Sequence, residues 1–133
     1  MIGLDSNVVV RYLVQDDAKQ SRAAARIIER DLSDATPGYV SLVAIAEIAW
    51  VLERSYRFSR AEIAAAIELM LQAQTLTIEC EREVFLAMTA LRDGRGSFGD
   101  ALIGALGTKA GCSSTLTFGR AASRLPDFSL IVE

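Results

Sequence analysis

Apolar positions in this chain come in two rhythms: short continuous runs of three or four residues, and longer stretches in which they recur every third or fourth place. MIGL is a run of the first kind and ends in Asp5, Ser6 and Asn7, three residue types that start helices, before VVVRYLVQ. The pattern predicts a buried first strand, a tight turn and a short helix. Asp16 or Asp17 caps a second helix over AKQSRAAARIIERDL, with Ala24, Ile27, Ile28 and Leu32 on one face, and the turn cluster SDATPG ends it. Tyr39 and Val40 form a short strand. Ser41 opens a helix from Leu42 to about Tyr56, and Ser59 opens another through Leu71, with Glu62 completing a capping box. A β-prone TLTI follows, then a helix from Glu81 to about Asp93, a GRGS loop and a helix from Phe98 to near Ala110. A strand from Thr115 to Phe118, a brief helix through Arg124 stopped by Pro126, and a final strand SLIV complete the chain.

Strands separated by helices throughout imply parallel pairing with helical cover. The expected fold is α/β, a three-layer α/β/α domain with a mainly parallel central sheet, and residues 1–133 read as a single domain without repeat, linker or low-complexity tract. With 51% of the 133 residues hydrophobic, a core forms without disulfide or zinc staples. The two cysteines, Cys80 and Cys112, lie outside any metal or redox spacing and read as core fillers in a reducing cytoplasm. The longest apolar run, Leu42 to Leu52, is interrupted by Glu47 and is far short of a membrane span, and no basic leader precedes it. A cytoplasmic location with no membrane contact is expected.

The absence of histidine narrows the chemistry most. It excludes His-ligated metal centres and every Ser–His or Cys–His triad, so acid–base and metal work falls to carboxylates, Lys, Tyr, Cys or hydroxyls. A net charge of −3 argues against a general nucleic-acid coat protein but leaves room for a nuclease, whose cation-binding acids count as negative until metal arrives. Among 14 basic residues only Lys19 and Lys109 are lysines; the rest are arginines, the better fork for phosphate. The glycines of GALGTKAG do not form a phosphate loop and match close helix packing.

Three carboxylates stand out. Asp5 follows the first strand, where ligands gather in open parallel sheets, although a helix cap explains it equally. Glu47 is the only polar side chain in LVAIAEIAWVL, a helix apolar enough to be buried nearly all round; such a carboxylate is paired, protonated or bound to metal. Asp100 lies in the first turn of SFGDALIGALG, where helix electrostatics also favours an acid. Acids from three remote segments meeting at one sheet edge would suit a hard divalent cation.

These segments resemble the motifs of PIN-domain proteins of the VapC toxin type: GLDSNVVVRYLVQDD their opening, SLVAIAEIAWVL the second motif with its Glu, SFGDALIGALG the third, and TLTFGRAASRLPDF the fourth. The resemblance covers nearly the whole chain. It implies a Mg²⁺- or Mn²⁺-dependent endoribonuclease acting on structured RNA, with Asp5, Glu47 and Asp100 as catalytic metal ligands and Asn7 and Thr117 as supporting polar groups. The family's fourth acid falls at Gly119, which has no side chain. The resemblance further implies a homodimer, and a small antitoxin partner whose tail enters the active-site groove. Arg95, Arg120 and Arg11 are the best-placed RNA-contact candidates, with Lys19, Arg22 and Arg92 behind them. No interleaved aromatic platform is visible, which favours folded RNA recognised by shape and backbone. Two other readings stand beside this one. The first is a catalytically degenerate PIN-like interaction protein that retains antitoxin or partner binding, for which Gly119 speaks. The second is a haloacid-dehalogenase-like phosphohydrolase, which wants DxD where this chain has Asp5-Ser6-Asn7.

Overall fold

Parallel strands cannot be joined by a tight turn, and the helical segments between them supply the crossovers. The structure is a computed structural model describing residues 1–133. Contacts group the chain into two units, Met1–Glu81 and Arg82–Glu133. In the first, β1 (Ile2–Gly3), β2 (Gly38–Val40) and β3 (Leu76–Ile78) form a parallel sheet with β2 in the middle, Ile2 opposite Gly38 and Val40 opposite Ile78. The helices α1 (Ser6–Val14) and α2 (Ala18–Arg26) connect β1 to β2; α3 (Leu42–Arg54) and α4 (Arg60–Gln72) connect β2 to β3. Val9, Ile28, Val40, Ile45, Ile48, Leu52 and Ile67 are nearly or fully buried and form the core of this unit. Gly38 is closely surrounded: a Cβ there would stand 2.8 Å from Cδ1 of both Leu4 and Leu32, so both side chains would have to shift.

The second unit carries α5, which spans Glu81–Arg92, α6 (Phe98–Lys109), and a two-stranded parallel sheet of β4 (Thr115–Thr117) and β5 (Phe128–Leu130). A 3-10 turn at Ala122–Arg124 lies in the connection. Val84, Ala87, Met88, Leu91, Phe98 and Leu125 are among its buried side chains. The glycines of α6 act as packing positions: a Cβ on Gly104 would meet Phe128 Cε2 at 2.6 Å, and one on Gly107 would meet Thr115 Oγ1 at 2.6 Å.

Every strand pairing is parallel and six helices alternate with the strands, so the chain has the α/β composition of a three-layer α/β/α PIN-like fold. No helix is long and apolar enough to cross a membrane. Local expectations are corrected in four places. The first strand is not buried: Ile2 and Gly3 are exposed, and only Leu4 just after them reaches the core. The second helix is not uniform: it widens into a π turn at Ile27–Asp31, closed by the Leu32 N–H on the Ile27 carbonyl at 2.9 Å. The last strand begins at Phe128 and stops at Leu130, leaving Val132 exposed. Neither cysteine is a core filler, for Cys80 is half-buried with a left-handed backbone (φ 51°) and Cys112 is exposed just past the left-handed turn at Gly111.

Candidate active site

Asp5 leaves the carboxyl edge of the three-stranded sheet, directly after Leu4, whose N–H bonds the Tyr39 carbonyl at 2.9 Å. It occupies the N-cap position of α1 with extended backbone (φ −73°, ψ 152°), yet its side chain accepts no helix N–H. Elsewhere the cap side chains do accept one: Asp17 from Gln20, Ser41 from Ala44, Ser59 from Glu62 and Ser97 from Asp100. The Asp5 carboxylate is therefore not consumed by capping, which removes its commonest structural explanation.

The residue that organises this edge is Ser6, which sequence reasoning treated only as a capping type. Ser6, Val9 and Val10 form the buried stripe of α1, at the spacing that places residues on one helical face. The Ser6 hydroxyl donates to Glu47 Oε1 at 2.6 Å and lies 3.3 Å from Asp5 Oδ1. One hydroxyl carries one hydrogen, so the shorter contact takes it. Two carboxylates far apart in sequence are thereby tied to a single buried group. The spacing of Ser6 with Val9 and Val10 is the signal in the sequence that would have placed Ser6 facing inward.

Glu47 itself requires a correction. The expectation of a carboxylate buried in an apolar helix fails: Glu47 is exposed, in a stripe with Val43 at 76% and Trp50 at 57% exposure. The helix buries Ala44, Ile45, Ile48, Ala49 and Leu52 on its other side. An unbroken apolar run carries no information about which face meets water, and that is why the inference from burial did not hold. No arginine or lysine neutralises Asp5, Glu47 or Asp100.

Asp100 belongs to the second unit, half-buried in the first turn of α6, with its own N–H bonded to Ser97 Oγ at 3.1 Å. Its side chain does not return a bond to Ser97; the reciprocal box is closed only by Ser59 and Glu62 on α4. Nowhere do three or more acidic or thiol side chains gather as a metal-holding group. The donors brought together are Asp5, Glu47 and the Ser6 hydroxyl. All are hard oxygen donors without a competing cation, and two carboxylates completed by waters and phosphate is an ordinary magnesium environment. The residues fit such an ion.

Of the supporting candidates, Asn7 is exposed and lines a cavity of about 390 Å³ between α1 and α2 together with Arg11 and Gln20, and no hydrogen bond joins it to Ser6 or Glu47. Thr117 is committed locally, its Oγ1 accepting the Gly119 N–H at 2.9 Å. Arg11 is engaged rather than free: its guanidinium bonds Gln20 Oε1 at 2.8 Å and Tyr56 Oη at 3.1 Å and pairs with Asp16 at 3.5 Å. These bonds tie α1 to α2 and to Tyr56, just past the end of α3. Arg95 pairs with Asp93 at 3.4 Å, both half in solvent, and Arg120 is exposed. Gly119 has room, since a Cβ would meet Thr117 Oγ1 at 3.4 Å and Ala122 Cβ at 3.8 Å, ordinary contact distances.

The family model of the PIN domain matches residues 2–127, a span that contains Asp5, Glu47, Asp100 and Thr117. No curated protein matches the chain.

Proposed function

The chain belongs to the PIN-domain family, a nuclease-type fold, and on that premise we propose that it is a divalent-metal-dependent endoribonuclease, the toxin of a toxin–antitoxin pair. One observation carries the reading: Asp5 and Glu47, unpaired with any base, share the Ser6 hydroxyl at the carboxyl edge of a parallel sheet. Ligand sites of open α/β sheets lie at that edge.

Asp5 and Glu47 would hold Mg²⁺ or Mn²⁺, and the motif around Asp100 gives that carboxylate the same role. The ion, when bound, supplies charge for the phosphate oxygens and lowers the pKa of a bound water. The chain's own residues do the positioning. Ser6 fixes Glu47 through Oε1, which leaves Oε2 to accept a hydrogen from a water and to aim it. The reaction is hydrolysis: the water oxygen bonds phosphorus, its proton passes to carboxylate or solvent, the bond from phosphorus to a ribose oxygen breaks, and that oxygen takes a proton from solvent to leave as a hydroxyl. Arg95 and Arg120 are the exposed candidates for phosphate contact. A homodimer and a small antitoxin partner in the cytoplasm complete the proposal, supported by the motif resemblance.

The test is cleavage of a structured RNA. With Mg²⁺ or Mn²⁺ the protein cuts and with EDTA it does not; Asp5→Ala and Asp100→Ala each lower the rate at least a hundredfold while circular dichroism is unchanged. Full activity in either variant would refute the site. Gly119, in place of a fourth acid, favours one other reading, a PIN-like partner-binding protein without catalysis. Saturable Mn²⁺ binding by titration calorimetry separates the two, since a degenerate site gives none.

A further inference from the structure

The open stripe of α3 continues beyond Glu47. Val43, Glu47, Trp50 and Arg54 recur at spacings of four, three and four, which align along one side of a helix. Trp50 is the only tryptophan in the chain and keeps 57% of its surface in water. The Arg54 guanidinium stands 5.4 Å from its ring centroid, within cation–π range. Arg54 thus steadies the indole, and more than half of the residue still stays open. A fixed aromatic plate lies one helical turn from Glu47, about 5 Å along the axis, with a cation beside it.

We propose that Trp50 is the stacking platform for one unpaired base of the RNA adjoining the phosphate that is cut, with Arg54 reaching a phosphate next to that base. The inference rests on the nuclease reading above and narrows its substrate: the RNA must present an unstacked base at this position, in a loop, bulge or single strand. Every nucleobase offers a π face, so stacking here tolerates sequence. A continuous A-form duplex keeps its bases stacked on one another and has no face to give. The sequence shows no interleaved set of aromatics, and the platform proposed is a single exposed ring on the helix that carries Glu47. Charge argues for the occupant: the exposed Arg54 beside the ring, and the cation proposed at Asp5 and Glu47, both suit the phosphates that flank a stacked base.

A single tryptophan makes the test direct, because all indole emission comes from Trp50. The whole protein in EDTA is titrated with a fluorescein-labelled RNA hairpin bearing an unpaired loop, with the same hairpin made abasic in the loop, and with a fully paired duplex. Anisotropy reads binding and indole emission reads the contact. The hairpin should quench the emission; Trp50→Ala should weaken hairpin binding about five- to a hundredfold, the range one base–aromatic stack is worth, and Trp50→Phe should restore most of it. Abasic and duplex RNA should bind the unaltered protein no better than the hairpin binds Trp50→Ala. In Mg²⁺, Trp50→Ala should raise KM for hairpin cleavage and leave kcat within a few-fold. Hairpin binding with unchanged emission overturns the proposal, as does equal affinity of Trp50→Ala. So does an indole already blue-shifted and shielded from acrylamide before RNA is added, which would mean that protein covers the ring. Anisotropy that never rises in EDTA while the hairpin is still cut in Mg²⁺ also overturns it; no rise together with no cleavage brings down the nuclease reading itself.

Discussion

Ser6 gives its one hydroxyl hydrogen to Glu47 at 2.6 Å while Asp5 waits 3.3 Å away, so the two carboxylates are arranged by a group that bears no charge. Ser6→Ala should cost about 1 kcal/mol in urea unfolding, below the usual value for a bond to a charged acceptor because the exposed Glu47 regains water. The same change should slow cleavage more than it weakens the fold, since Glu47 loses its fixed direction. A second residue-scale effect concerns Asp16, whose carboxyl is held below its ordinary 3.8, chiefly by the Tyr56 hydroxyl that donates to it at 2.7 Å, with Arg11 adding to the effect. A depressed folded-state pKa means stability that is present above the ordinary value and disappears as pH falls through the lowered one. Tyr56→Phe should therefore be less stable than the parent at pH 6, and the gap should narrow as pH falls below the ordinary 3.8 and through the lowered folded-state value. Urea melts at pH 6 and in acid check this; a gap that does not narrow in acid would place the effect elsewhere. Asp5 and Glu47 were legible as candidates from their types and positions. Glu47's exposure and the hydroxyl between them were not, because both depend on which side of an apolar helix turns inward.

At the scale of elements, caps and spacing carried most of the information. Ser59 with Glu62 was readable as a reciprocal cap, and the structure closes both bonds, Glu62 N–H to Ser59 Oγ at 3.1 Å and Ser59 N–H to Glu62 Oε1 at 2.9 Å. The Ser59 backbone N–H, with the Ser59 side chain adding to it, holds the Glu62 carboxyl below its ordinary 4.5. Ser59→Ala should lower stability by about 1 kcal/mol in chemical denaturation, with Glu62 returning toward its ordinary pKa in a carboxyl titration by NMR. The crossover helices were legible because their apolar positions repeat with helical period. Strand limits were less so: β1 pairs over only Ile2 and Gly3, and β5 ends before Ile131, because pairing depends on a neighbour that no local pattern contains. The π turn escaped for a related reason, since Ala24, Ile28 and Leu32 mark an inward face whichever way the backbone reaches it.

For the molecule as a whole, family and chemistry agree: a PIN-domain match over residues 2–127, and oxygen donors left without a base. Binding of an ion to the folded state alone stabilises it by mass action, about 2.7 kcal/mol when the ion stands at a hundred times its Kd. Mn²⁺ should raise the melting temperature, and Asp5→Ala should erase the rise. Gly119 permits a further comparison, because its surroundings accept a Cβ without a clash. Gly119→Asp should bind Mn²⁺ more tightly than the parent by calorimetry; unchanged affinity would show that position 119 does not address the ion. Net charge bears on the same balance, since a chain at −3 gains little from general attraction to RNA and relies on local groups and the cation.

The widened turn at Ile27–Asp31 has one more implication. A helix that closes on the fifth residue instead of the fourth contains one residue beyond what its path needs, and Glu29 and Arg30 within it face solvent. That surplus is slack. Homologous chains one residue shorter here would wind through as regular helix, with Leu32 still seated beside Gly38 and β2 still in frame, so length variation should collect at this turn and be absorbed without disturbing the sheet that presents Asp5.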